Sequence, residues 1–375
     1  MCTKIKIPAL TLSRLFIRTK PKVSTVLCER TYNNNVRVFC PHKGYKQQRK
    51  DTGAKTYLLG ISTLVAASFG DFSKEDEWEK HIDDEMKQEE LKKRIGMCTM
   101  HLHQAEPHLA KPHFQEAFEL LKDDLSRKRG TPIPNLKIVY LTDQLGNIAL
   151  QLECYREAID LYMATINGFA LNGIERSNRT VTELFLKIGQ IYAILGEFKL
   201  AEMTFLHCVG VTTLELSKND NPKNPRVITL AGLAYEGLGK LYLSMNLPEN
   251  ALNMYHHALQ FAETIFHPHD PQIPVLLNDL ATVYEALNDY DQALETVEKA
   301  ISAAKIGNPS TIPSIMCNKA TILLFKGELK TARQLYEELV ETCKRLYDSE
   351  TLREVRANMK ILEEKERAMS NNPHR

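Results

Sequence analysis

The feature that most limits what this chain can fold into is a pair of small residues held twelve apart, five times over. The pairs are Gly146 with Ala158, Gly189 with Ala201, Gly239 with Ala251, Ala281 with Ala293, and Ala320 with Ala332. A larger anchor follows each alanine by four: Tyr162, Phe205, Tyr255, Val297 and Tyr336. Residues four apart share one helical face. An interval of twelve that straddles turn residues, such as Asn246-Leu247-Pro248, places the two small residues on two antiparallel helices at their crossing point. Small side chains there let the backbones approach. Leu145, Ile188, Leu238, Leu280 and Leu323, with Ala149, Tyr192, Tyr242 and Tyr284, fill the space around that crossing.

The Leu-Gly pair, the aromatic, and the Ala with an anchor four further on resemble the tetratricopeptide repeat (TPR), a helix–turn–helix unit. The resemblance implies an all-α fold, a tetratricopeptide-repeat α-solenoid over residues 98–346. The frame alanines lie 43, 50, 42 and 39 residues apart, against about 34 in the plain repeat. The excess falls between repeats, as in 219–226 and 267–274. A sixth, degenerate copy is expected upstream, with Ala105, Ala117 and Leu121, its first helix broken early by Pro107 and Pro112.

Outside the array the charge is unevenly placed. Residues 1–56 carry thirteen Lys and Arg against Glu29 and Asp51, a net of +11, so the rest of a chain of net charge +1 is 10 negative. A net-negative folded part has no basic face for nucleic acid. Residues 1–55 are Arg-rich and acid-poor, with Leu10, Leu12, Leu15, Phe16 and Ile17 beside Arg14 and Arg18. That is the composition of a mitochondrial presequence, disordered and removed. Residues 56–72 hold an uncharged run between Lys55 and Asp71, short for a bilayer of about 30 Å. It is expected to anchor the chain in a membrane with local thinning. By the positive-inside tendency the repeats would then face the intermembrane space. A charged connector helix is expected over 73–97, with Trp78, Ile82 and Met86 on one stripe. A capping helix and tail are expected over 347–375, with Leu352, Val355, Met359 and Leu362 on one face.

Candidate chemistry is sparse. The eight cysteines (2, 28, 40, 98, 154, 208, 317 and 343) form no C-x-x-C pair, so neither a zinc site nor a disulfide framework follows. Cys98, His101, His103, His108 and His113 are the densest set of metal-ligand types, but the two prolines among them make the segment irregular. Ala234 through Gly239-Lys240-Leu241 comes near a phosphate-binding loop and fails, because Leu241 replaces the hydroxyl residue and no strand precedes it. Asn178-Arg179-Thr180 has the glycosylation pattern without a secretory signal. No nucleophile elbow, carboxylate pair or dinucleotide turn is present. The reading is of a non-enzymatic protein without cofactor, metal or small-molecule substrate.

Arrays of this kind bind along the groove lined by the first helix of each repeat. The frame places Asp143, Asn147, Gln190, Glu236, Lys240, Asn278, Asn318 and Thr321 near that surface as peptide-groove candidates. Arrays that clamp a chaperone's C-terminal carboxylate carry Lys and Asn in the first repeat and Lys and Arg in the third. Here Asp143 stands where the first Lys should be, so that partner is disfavoured.

A basic presequence, one short hydrophobic segment, an acidic connector and long-period repeats together resemble the mitochondrial tetratricopeptide repeat protein 19 family. Local pieces that carry the likeness are Leu186-Lys187-Ile188-Gly189-Gln190-Ile191-Tyr192-Ala193, Leu280-Ala281-Thr282 with Ala293, and Tyr336-Glu337-Glu338-Leu339. The resemblance implies an inner-membrane protein that binds respiratory complex III and helps clear fragments of its processed Rieske iron–sulfur subunit. It brings no catalytic residues. Two other readings predict different things. A soluble adaptor of the kinesin-light-chain kind shares the long period and needs no targeting segment. An enzyme using the His-rich start of the array would require bound zinc.

Overall fold

The computed structural model describes residues 81–125, 136–175, 178–218 and 224–371. The expected presequence over 1–55, the expected anchor over 56–72 and Trp78 of the connector lie outside them. Among the described residues every regular element is helical. The helices are α1 (His81–His103), α2 (Pro107–Leu125), α3 (Leu136–Gln151), α4 (Tyr155–Leu171), α5 (Arg179–Ile194), α6 (Phe198–Ser217) and α7 (Pro225–Ser244). They continue with α8 (Pro248–Ile265), α9 (Gln272–Ala286), α10 (Tyr290–Gly307), α11 (Ile312–Lys326), α12 (Leu329–Leu346) and α13 (Ser349–Asn371). No helix among them is long and apolar enough to cross a membrane. They fall into two compact units, one ending at Leu241 and the other beginning at Tyr242.

The twelve-residue frame is a packing frame. Ala158, Ala201, Ala251, Ala293 and Ala332 each open the second helix of a hairpin at its fourth position and are fully buried. Their anchors are at most 1% exposed. In the first unit the crossing is tight at Gly146: a Cβ there would stand 2.8 Å from Cε1 of Tyr162. The Phe205 ring is clasped from two sides, since a Cβ on Gly189 would lie 3.1 Å from it and one on Gly237 2.5 Å. The first-helix aromatics Tyr192, Tyr242 and Tyr284 are only half-buried. Their carbonyls accept the closing bonds of the turns that follow, from the amides of Glu197, Leu247 and Asp289.

The same turn recurs in every hairpin. Five residues before each frame alanine the backbone is left-handed: Glu153 (φ 58°), Gly196 (78°), Asn246 (59°), Asn288 (61°) and Gly327 (95°). This is the C-terminal cap that reuses orphan carbonyls of the first helix. The amide of Cys154, for example, reaches the carbonyl of Ala149 at 2.9 Å. The left-handed conformation suits Gly and Asn and costs other residues about 1–2 kcal/mol.

One sequence expectation is corrected. The first copy is framed by Cys98, Ala110 and Phe114, not by Ala105, Ala117 and Leu121. Ala110 is the fourth residue of α2, Cys98 precedes it by twelve, and both are fully buried. The Cys98 Sγ donates to the carbonyl of Ala110 at 3.4 Å. Ala105 is instead the left-handed turn residue (φ 58°), five before Ala110 as in the other five hairpins. Nor do the prolines break the first helix. Pro107 opens the second helix, where its missing N–H is not needed, and Pro112 is accommodated inside it. The charged stretch read as a connector supplies, from His81 onward, the first helix of this hairpin.

In the second unit, Ala281, Ala293, Val297, Ala300, Ile315 and Ile322 form one core and Cys317, Ala320, Leu324, Ala332, Tyr336, Val355 and Leu362 the next. Helix α13 packs in the manner of a first helix and is the last helix among the described residues, its Val355 and Leu362 completing this core.

Candidate functional site

The groove candidates lie on the first helices, and most of them are held by neighbouring side chains. In the first unit Lys187 of α5 reaches back to α3. Its Nζ stands 2.7 Å from Asn147 Oδ1, 3.6 Å from Asp143 Oδ1 and 5.0 Å above the Tyr162 ring. Tyr162 adds its own hydroxyl, donating to Asn147 Oδ1 at 3.0 Å. With two donors on its oxygen, the Asn147 amide has a fixed orientation, and its NH₂ has no partner among the described residues. Glu183, one turn before Lys187, is raised above the ordinary carboxylate range by burial, with Lys187 pulling it down and Asp143 pushing it up. On α7, Glu236 is 2% exposed and accepts from Lys240 Nζ at 2.6 Å. Gln190 is buried on α5.

The second unit repeats the arrangement without charge. The Asn318 Nδ2 of α11 donates to the carbonyl and Oδ1 of Asn278 (3.2 and 3.1 Å) and to Thr282 Oγ1 (3.1 Å) on α9. From α13, Asn358 Nδ2 donates to Thr321 Oγ1 at 3.0 Å, and that hydroxyl also meets the Tyr336 hydroxyl at 3.0 Å. One position of each of these first helices therefore ties back to two positions, about one turn apart, on the first helix before it. Lys187, Thr282 and Asn358 were missed by sequence reasoning. Their signal is the interval of 40 in Asn147–Lys187, Asn278–Asn318 and Asn318–Asn358.

A cavity of about 340 Å³ opens between α1 and α3. Ile95 and Ile148 form its apolar floor, and Thr99, Gln144, Asn147 and Gln151 supply polar groups. The floor is apolar, and the NH₂ of Asn147, unpaired among the described residues, stands at its side.

The remaining candidates serve the fold. His101 and His113 stack at 5.9 Å, Nδ1 of the first lying 3.5 Å from Glu106 and Nδ1 of the second 3.7 Å from Glu116. Among the described residues no three ligand-type side chains are gathered for a metal. Burial pushes the Cys98 thiol up to about 11 and raises Cys208 as well, so both stay protonated and unreactive at neutral pH. Gly239 and Lys240 lie in mid-helix, far from loop geometry. Asn178 caps α5, its Oδ1 accepting from the amide of Thr180 at 2.9 Å.

Comparison with known proteins follows the same outline. Family models described as tetratricopeptide repeat match residues 230–306 and 182–212. A human protein named tetratricopeptide repeat protein 19, mitochondrial, is 24% identical over 264 residues, covering 68% of this chain and 70% of its own. A homolog named likewise in Drosophila melanogaster is 20% identical over 196 residues, 52% of this chain and 53% of its own. Among solved structures, the apo form of RapI superposes with a TM-score of 0.51 at 12% identity, covering 73% of this chain and 80% of that one. That likeness concerns the fold alone.

Proposed function

We propose, for a chain that belongs to the tetratricopeptide-repeat proteins and is a relative of mitochondrial tetratricopeptide repeat protein 19, that it is a protein-binding scaffold of the mitochondrial inner membrane serving respiratory complex III. It binds that complex and holds segments of the processed Rieske subunit while they are cleared. Residues 56–72 anchor it, and the repeats face the intermembrane space. The mitochondrial names of its relatives support the compartment.

The observation that carries the binding role is the Asn147 amide. Lys187 and Tyr162 occupy its oxygen, and its residue lines the α1–α3 cavity. An amide fixed before binding loses little entropy on capturing a peptide carbonyl. Within the first unit Asp143, Gln190, Glu236 and Lys240 set the polarity of the surface beside this amide, and within the second Asn278, Asn318 and Thr321 do the same for their own first helices.

The test uses the exposed rim residue Gln144. Gln144→Trp lays an indole over the cavity without touching Lys187 or Tyr162. Co-isolation of complex III from mitochondria carrying this variant should fall sharply while the circular dichroism melt is unchanged. Full retention of complex III, with normal disappearance of Rieske fragments, would remove the cavity from the mechanism.

A further inference from the structure

Helix α13 plays the part of a first helix. Its Asn358 ties back to α11 as Asn318 of α11 ties back to α9. The two asparagines are 40 apart, and the same shift carries buried Ile315 and Ile322 onto buried Val355 and Leu362. The face of α11 turned to its own second helix holds Pro313, Met316, Cys317, Ala320 and Leu324, of which all but half-buried Met316 are buried. On α13 that face reads Arg353, Arg356, Ala357, Lys360 and Glu364, every one exposed. The position that is Cys, Gly or Ala in six hairpins is a lysine here.

Charge distribution separates this face from a merely solvated cap. Other charges on α13 are paired: Glu363 pairs with Arg367 at 3.6 Å, and Glu366 holds Arg333 of α12 through both carboxylate oxygens. Lys365 lies 4.5 Å above the Phe325 ring. Arg353, Arg356 and Lys360 fall at i, i+3 and i+7, on one stripe, and none has an ion-pair partner among the described residues. A hollow of about 360 Å³ runs along that stripe, with Leu352 and Ala357 between the cations.

We infer that this face is a docking site for an acidic helix of a partner protein. The helix lies along that stripe, as α12 lies along the matching face of α11, and carries carboxylates opposite Arg353, Arg356 and Lys360. A helix suits the place because Ala357 leaves room beside the backbone and α13 already presents helical spacing. Acidic side chains suit it because three unmatched cations at that spacing attract a carboxylate row and disfavour an apolar or basic one. Glu364 at the far end requires a neutral or basic residue there, which fixes the direction of the occupant.

The full-length chain can be tested with a labelled synthetic helix of about twenty residues that carries Glu at i, i+3 and i+7, and with its Gln counterpart. The Glu helix should bind, with an affinity that falls as salt rises. R353Q/R356Q/K360Q, all at exposed positions, should weaken it by about tenfold or more. R353E/R356E/K360E should instead prefer a Lys helix of the same spacing. Equal binding of the Glu and Gln helices, or unchanged affinity of the neutralised variant, would overturn the inference. So would stripe-dependent binding to phosphatidylserine vesicles that the Glu helix does not compete for, or self-association abolished by the same variant.

Discussion

The two units solve one problem with different chemistry. In each, a first helix must be tied to the first helix of the repeat before it, and the tie comes from one side chain reaching two positions. The first unit uses a lysine between a carboxylate and an amide, Lys187 with Asp143 and Asn147. The second uses amides and hydroxyls, Asn318 with Asn278 and Thr282, then Asn358 with Thr321. Frame and turns are the same, so the contrast isolates the tie itself. A charged tie depends on pairing: removing one member leaves the other half-buried and unsatisfied. A neutral tie loses only its hydrogen bonds.

The largest test of the shared frame is Tyr162→Ala. It removes a fully buried ring that packs on Gly146 and carries Lys187 above it. A loss of about 3–5 kcal/mol is expected in denaturant unfolding, with Tyr336→Ala similar. Unequal losses would mean that the frame is not equivalent in the two units. Next comes the tie. Lys187→Met should cost about 1–3 kcal/mol, and adding Asp143→Asn should recover part of it by making the site neutral like its counterpart. No recovery in the double variant would show that the charge of Asp143 is not what the lysine satisfies.

Titration sharpens the contrast further. Burial raises both Glu183 and Glu285 above the usual carboxylate range, opposed at Glu183 by Lys187 and at Glu285 by Lys365. The folded chain keeps these protons in a window where the unfolded chain has released them. Stability therefore falls as pH rises from the ordinary glutamate pKa through the raised one. Glu183→Gln and Glu285→Gln should each flatten that slope and raise the melting temperature at neutral pH. The smallest effect belongs to the turns. Glu153→Gly relieves a left-handed glutamate and should stabilise by about 0.5–1 kcal/mol; a loss would mean that its side chain does more than occupy the turn.

Much of this was legible in sequence because the frame is local. A gap of twelve spans one turn of fixed length, so five copies could be aligned without knowing the linkers. The first copy was displaced by seven because Ala105, Ala117 and Leu121 reproduce the intervals twelve and four by coincidence. Two helical turns along α2, Ala117 and Leu121 lie on the same buried face as Ala110 and Phe114. Cys98 in the glycine position hid the true match. The groove candidates do lie on first helices, but the ties among those helices were not legible. Those join successive first helices some 40 residues apart, an interval far longer than any helical or turn period. The presequence and anchor expectations rest on composition and on the family resemblance.

The constant turn has a consequence for how such a chain can change over generations. The joint inside a hairpin is locked: a left-handed residue stands five before the frame alanine in all six, and one inserted residue would rotate the second helix by about 100°. The joint between hairpins is not held to one length, and the intervals between frame alanines, from 39 to 50, already vary there. Insertions and deletions should therefore accumulate at alternate joints only. New loops, tags or processing sites can enter at the even-numbered crossings while the odd ones stay closed to them. A deep-insertion scan of this chain should read out as a two-stroke pattern of tolerance, one permissive joint for every forbidden one.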